Sequence, residues 1–221
     1  MKRFTFLISL IAVVSLSLNI KLLLERKNPD LISYKVIDVI DGDTFRIKSG
    51  GEERRVRLMG VDAPELEKCL GSEAKEKLEK MILNKNIILK DQFTDPYGRI
   101  MANVFSGDSY INKEILSFGL ARMDYYENPH REELKTAYGE ARAKKFGIFS
   151  GVCISKTAPT TQEGMLCDIK GNLDDNTQKK NYFLSTCRNY SQVTIDLSSE
   201  DSWFCTEEEA IKAGFSKSKT C

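Results

Sequence analysis

Between Tyr34 and Phe105 the chain passes through five short runs suited to a pleated surface: "YKVIDVI", "DTFRIKS", "ERRVRLMGV", "NIILKDQF" and "IMANVF". Turn signals punctuate them, Asp41-Gly42 after the first, Gly50-Gly51 after the second and "TDPYGR" before the last. The second run alternates Phe45 and Ile47 against Arg46 and Lys48, the period of a half-buried strand. Helical stretches interleave. "SEAKEKLEKMIL" puts Ala74, Leu78, Met81 and Ile82 on one face behind a Ser72 cap. "NKEILSFG" stops at Gly119, and a third helix from Pro129 to Gly147 carries Leu134, Ala137, Tyr138 and Ala141 on one stripe. The pattern predicts a mainly β fold with helices (α+β): a five-stranded barrel of OB type with about three helices at its margins.

A chain of 221 residues, 41% hydrophobic and 29% charged, buries one ordinary core and carries at most a small accessory module. The expected division is an N-terminal apolar segment at 1–24, a spacer at 25–33, the barrel at 34–151, an aperiodic linker at 152–166 and a small module at 167–221. Lys2 and Arg3 precede the apolar run from Phe4 to Leu18, which continues weakly to Leu24. This is the pattern of a secretory signal or an uncleaved membrane anchor, marginal in length for a span of about 20 residues. Either reading places the remainder in the cell envelope or outside the cell. The six cysteines, at 69, 153, 167, 187, 205 and 221, contain no C-x-x-C pair, and His130 is the one histidine. That usage argues for disulfides in an oxidising compartment and against a zinc site. A lone histidine also leaves little room for histidine-based nuclease chemistry.

The segment "VRLMGVDAPE" concentrates charge where a buried strand should end. Continued alternation places Val56, Leu58 and Gly60 on one face and Arg57, Met59 and Val61 on the other, so Arg57 shares its side with apolar neighbours and needs an anionic partner. Carboxylates are at hand in "DGDT", with Asp41 and Asp43, and in "DAPE", with Asp62 and Glu65; "DPYGR" adds Asp95 and Arg99. Carboxylates with a backbone carbonyl suit a hard divalent cation, most naturally Ca²⁺. Two arginines suit a phosphate held bidentately. Taken singly, "DGD" and "DPYGR" are good turns, "DAPE" a helix cap, and Arg57 a salt-bridge partner for Asp62. Their order and separation in one chain is what those separate readings leave unexplained.

At these residues the sequence resembles the thermonuclease family, the staphylococcal-nuclease-like OB folds. "DGDT", "VRLMGVDAPE" and "DPYGR" occur in that family's order, followed by "GLARMDYY" and "AKKFGIFS". The resemblance covers about residues 34 to 151. It implies Arg57, Glu65 and Arg99 as catalytic residues, Asp43, Asp62 and the carbonyl of Ala63 as Ca²⁺ ligands, and Tyr97 and Tyr125 as aromatics of the nucleotide pocket. The implied activity is phosphodiester hydrolysis of DNA and RNA by a monomer, with 3′-phosphate products. Pro96 stands where the best-known member has a lysine, which implies one phosphate contact fewer. Cys69, in a shortened loop, and Cys153, after the last helix, match a subset of bacterial relatives. A bridge between them would close the barrel's end over the active-site loop, with Cys187–Cys205 and Cys167–Cys221 expected in the tail.

Charge qualifies the expectation. Residues 34–151 hold 20 Lys plus Arg and 20 Asp plus Glu, so steering of phosphates towards this zone is weak. The tail, with 7 basic and 9 acidic residues, is no DNA clamp. Its pieces "IKGN" and "WFCTEEEAIKAGF" resemble a small module that follows nuclease and other envelope-associated domains in bacteria, and Trp203 with Phe204 reads as its small core. Two alternatives stand beside the nuclease: an OB module that binds nucleic acid without turnover, and an envelope protein whose tail makes the functional contact. The intact set of chemical positions speaks against the first.

Overall fold

The computed structural model describes residues 32–221 except 125, 175 and 176. The N-terminal apolar segment and Tyr125 therefore lie outside the described residues. No described helix is long and apolar enough to cross a membrane. Tyr34 to Cys221 forms one compact unit.

Strand β1 (Ser33–Val39) pairs antiparallel with β2 (Thr44–Ser49), and β2 with β3 (Glu52–Leu58). The short β4 (Val61–Asp62) and helix α1 (Gly71–Ile82) follow, and β5 (Asn86–Thr94) returns beside β1 and pairs antiparallel with β6 (Ile100–Ser106). The barrel closes because β6 also runs parallel to β3, with Val56 opposite Ile100 and Leu58 opposite Ala102. Five strands thus make the closed mixed barrel that the β-run pattern predicts. The edge pair β7 (Ser109–Tyr110), helix α2 (Ile111–Ser117), β8 (Arg122–Met123) and helix α3 (Arg131–Ala143) complete this part.

Inward residues of each strand meet one stripe of each helix. Val36, Phe45, Ile47, Val56 and Leu58 pack with Leu78 and Ile82 of α1, Ile115 of α2 and Leu134 of α3, all 0% exposed. Side chains of this size contribute about 1.5–3 kcal/mol each when fully buried. Two helix ends differ from expectation. Helix α3 spans Arg131–Ala143, shorter than the Pro129–Gly147 run, since Lys145 already adopts φ 55° and the Phe146 N–H turns back to the Ala141 carbonyl. Ser72 is not a cap: Leu70 holds that position with φ 66°, and the Ser72 hydroxyl donates to the Leu66 carbonyl instead.

The alternation read through "VRLMGV" also stops early. Beyond Leu58 the chain turns at Gly60, φ 79°, where an added Cβ would lie 2.8 Å from the Leu134 side chain. Met59 and Val61 are both buried as a result, and only Arg57 keeps the polar side. The Met59 carbonyl left over by the broken ladder accepts hydrogen bonds from Asn112 Nδ2 at 2.9 Å and Asn128 Nδ2 at 3.2 Å. Buried backbone groups must find such partners, so these two asparagines hold the bend between Arg57 and Asp62.

In the tail, β9 (Ile154–Ser155) lies within the expected linker and pairs antiparallel with a later strand, β12 (Ile195–Asp196). Between them β10 (Ile169–Leu173) and β11 (Lys180–Phe183) form a hairpin; β13 (Ser202–Phe204), helix α4 (Glu207–Lys212) and β14 (Ser216–Lys217) follow. Four of these strands make a sheet in the order β13-β10-β11-β14. Its small core is Ile169, Tyr182, Phe204, Ala210 and Phe215. Phe204 is there as expected, whereas Trp203 is partly exposed and donates from its indole to Ser155 Oγ at 2.9 Å.

Cys69 is bonded to Cys153, and the tail pairs are Cys167–Cys205 and Cys187–Cys221. The expected Cys187–Cys205 and Cys167–Cys221 pairings are thereby corrected. The reason is register: Ile169 lies opposite Phe204 in the β10–β13 ladder, which carries Cys167 alongside Cys205. Arg188 N–H donates to the Thr220 carbonyl, bringing Cys187 to Cys221.

Candidate active site

Three backbone features converge at one end of the barrel. Asp43 sits at the start of β2, where the Asp41 carboxylate caps the turn by accepting from the N–H groups of Asp43, 3.0 Å, and Thr44, 2.7 Å. Arg57 lies opposite Thr44 on β3. The bend at Gly60 then delivers Asp62 and Ala63, with Val61–Asp62 pairing against Arg122–Met123. The Arg57 guanidinium spans the two acids, Nη1 to Asp43 Oδ1 at 2.6 Å and Nη2 to Asp62 Oδ1 at 2.8 Å.

Asp43 is almost wholly buried, 2% exposed, while Asp62 is 58% exposed. The other Asp43 oxygen accepts from Ala63 N–H at 2.9 Å, and Thr44 Oγ1 donates to Oδ1 at 2.8 Å. Burial nonetheless pushes the Asp43 carboxyl up to about 7, with Asp41 adding to the rise and Arg57 opposing it. Glu65, on the exposed turn after Pro64, is raised by partial burial and by the nearby charges of Asp41 and Glu67. Asp124 is raised too, by burial first and with Asp62 contributing. In all three, burial is the largest cause, with neighbouring carboxylates adding to it and Arg57 opposing it.

Among the described residues no three His, Cys, Asp or Glu stand close enough to hold a metal by themselves. Asp43 and Asp62 are hard oxygen donors of the kind a Ca²⁺ ion takes, and Arg57 brings them to one point.

Arg99 arrives from the other side of the closure. The register Val56 opposite Ile100 sets it just upstream of β6, the strand that pairs with Arg57's own. Asp95 forms the turn by accepting from the N–H groups of Tyr97 and Arg99 and from Arg99 Nε at 2.7 Å. Burial would raise Asp95, but these bonds hold its carboxyl below the usual range. Tyr97, 75% exposed, stacks near the Arg99 guanidinium at 5.3 Å.

The loop carrying Glu65 has its own support. Lys68 N–H donates to the Glu65 carbonyl and Gly71 N–H to the Lys68 carbonyl. A Cβ on Gly71 would fall 1.9 Å from the Glu65 carbonyl oxygen. Gly71→Ala is therefore expected to cost about 1–3 kcal/mol by overpacking. It is also expected to lower cleavage about 10²-fold by shifting the turn, which urea denaturation and initial rates would measure.

Residues 55–151 match the family described as staphylococcal nuclease homologue. The thermonuclease of Staphylococcus hyicus is 34% identical over 128 residues, 53% of this chain and 76% of that protein. The thermonuclease of Staphylococcus intermedius is 36% identical over 127 residues, again 53% and 76%. The chain belongs to the staphylococcal nuclease family. A micrococcal nuclease of Shigella flexneri is a more distant relative, 28% identical over 126 residues. The family match ends at residue 151, so the tail lies beyond it.

The tail touches the nuclease part beside this site. Arg122, paired through β8 with the Asp62 strand, binds Asp196 at 2.7 Å and donates to the Ser198 carbonyl at 3.1 Å. Leu197 clasps the disulfide: its carbonyl accepts from Cys69 N–H and its N–H donates to the Cys153 carbonyl. Sequence reasoning missed Arg122, Asn112 and Gly71 as positioning residues. "GLARMDYY" contains Arg122, but its partner is 74 positions away.

Proposed function

We propose that the protein is a calcium-dependent endonuclease of the cell envelope or exterior, cleaving DNA and RNA with Arg57, Glu65 and Arg99 as its catalytic residues. Family membership makes it a phosphodiester hydrolase. The observation that carries the finer reading is the Arg57 guanidinium held between Asp43 and Asp62, on the loop that also presents Glu65.

Asp43, Asp62 and the Ala63 carbonyl would hold Ca²⁺, which when bound supplies positive charge to a phosphate oxygen. Glu65, exposed on the turn beside Asp62 and Ala63, takes the proton of the attacking water. Arg57 and Arg99 hold the phosphate oxygens as negative charge builds during in-line attack. Asp95 fixes Arg99 from its Nε edge and leaves the outer edge of the fork to face a phosphate. The 5′-oxygen leaves and the product carries a 3′-phosphate. Tyr97 offers an exposed ring to a base. Three disulfides, with no free cysteine, support an oxidising compartment.

Cleavage of a single-stranded oligonucleotide with calcium, with magnesium and with chelator tests the proposal. Turnover is expected with Ca²⁺ and little with Mg²⁺, whose near-octahedral shell such a site does not provide. Equal rates with magnesium would remove the calcium assignment, and no cleavage under any condition would remove the nuclease.

A further inference from the structure

At the other end of β6 from Arg99, three lysines converge on a small cavity of about 230 Å³. Lys77 and Lys80 reach it from the last two turns of α1 and Lys85 from the turn that follows, while Ser106 and Ser109 line it from β6 and β7. The length of β6, about 20 Å, separates this place from the candidate active site. We propose that the cavity docks the phosphate headgroup of an anionic phospholipid, so that the protein rests on a membrane by this end and leaves its active site open. The proposal takes up the envelope location proposed above and is independent of the catalytic assignments.

The lysines keep donors available for such a group. Lys85 Nζ donates to the Lys80 carbonyl at 3.0 Å, which fixes the ammonium at the cavity and leaves two of its three donors. Lys77 Nζ lies 3.5 Å over the Phe118 ring, a contact that takes up no hydrogen bond. Glu76 pairs with Lys80 and Glu114 stands in the lining, so the positive surplus is small and docking is reversible and salt-sensitive.

Two observations choose a lipid surface over a nucleic-acid strand. Val36 N–H donates to the Lys85 carbonyl and Asn84 N–H to the Val36 carbonyl, so the chain joins the barrel against the backbone of one of the cavity's own lysines. In the sequence the apolar run ends at Leu24, and residues 25–33 extend at most about 30 Å. An apolar segment held in a bilayer therefore keeps this end of the barrel within reach of the headgroups. Exposed rings are the second observation. Phe118, 43% exposed, lies beneath Lys77, and Phe146, 47% exposed, precedes Gly147, which packs against the backbone of Phe118 and Gly119. Apolar rings beside ammonium groups suit a boundary where acyl chains meet phosphates.

The test is co-sedimentation of the full chain with vesicles of phosphatidylcholine and with the same vesicles carrying phosphatidylglycerol. The apolar segment contributes to both, so the difference reads charge. The parent should bind the anionic vesicles at least about tenfold more tightly, and Lys77→Gln, Lys80→Gln and Lys85→Gln combined should lose most of that preference. A control with Lys156→Gln, Lys179→Gln and Lys219→Gln removes the same charge at exposed positions of the tail and should keep it. Thermal melting shows whether the cavity variant is folded; if it is not, Lys80→Gln alone takes its place, with a loss of about fivefold expected. Equal binding of the parent to both vesicles, an unchanged preference in a folded cavity variant, or an equal loss in the tail control overturns the proposal. Oligonucleotide cleavage is followed with the same proteins. A raised KM in the cavity variant with vesicle binding unchanged makes the cavity a nucleic-acid site and also overturns it, whereas a parent that cleaves nothing removes the nuclease reading alone.

Discussion

Glu65→Gln is expected to lower single-turnover cleavage by about 10² to 10⁴-fold while leaving the fold intact. The Glu65 side chain is exposed, and its loop is held by backbone bonds through its carbonyl, so the amide disturbs no packing. Glutamine keeps the size and much of the hydrogen bonding but cannot take up the proton of the attacking water. Calcium and oligonucleotide titrations should be little changed, because Asp43, Asp62, Arg57 and Arg99 remain. A rate near that of the parent would show that Glu65 is not the base, whatever becomes of the rest of the site.

Removing the Cys69–Cys153 bridge by a double alanine substitution is expected to cost about 2–5 kcal/mol, read from urea denaturation under non-reducing conditions. The bridge spans 84 positions, from the loop after Glu65 to the segment after the last barrel helix, and restricts the unfolded chain accordingly. Cleavage should fall as well, since Cys69 is four residues from Glu65 and its N–H is bound to Leu197. A loss under about 0.5 kcal/mol would place the bridge among surface features without consequence.

Much of the barrel was legible because its signals are local. Phe45 and Ile47 alternate with charges, Gly50-Gly51 turns the chain, and Ala74, Leu78 and Ile82 share a helical face; each is decided within a few residues. Asp43, Arg57 and Asp62, which the structure brings together, were legible for a related reason, since they lie on one hairpin and the turn that follows it. What failed depends on distant partners. Met59 and Val61 turn inward because Gly60 bends against Leu134, and Leu70 replaces Ser72 at the helix start because the Glu65 loop must pass close to Gly71. The tail disulfides follow a strand register between residues more than thirty positions apart, which no spacing rule contains. The salt bridge of Arg122 to Asp196 is of the same kind.

The clasp that Leu197 makes on both halves of the Cys69–Cys153 bridge bears on the order of events during folding. The barrel can close once β6 has paired with β3, but the segment at Cys69 gains its backbone partner only when residue 197 is brought back to it. Contacts at such sequence separation form late, because loop closure must be met before they return anything. Until then the turn at Glu65 is held only by its own bonds through Lys68 and Gly71, and the tail adds the last fastening.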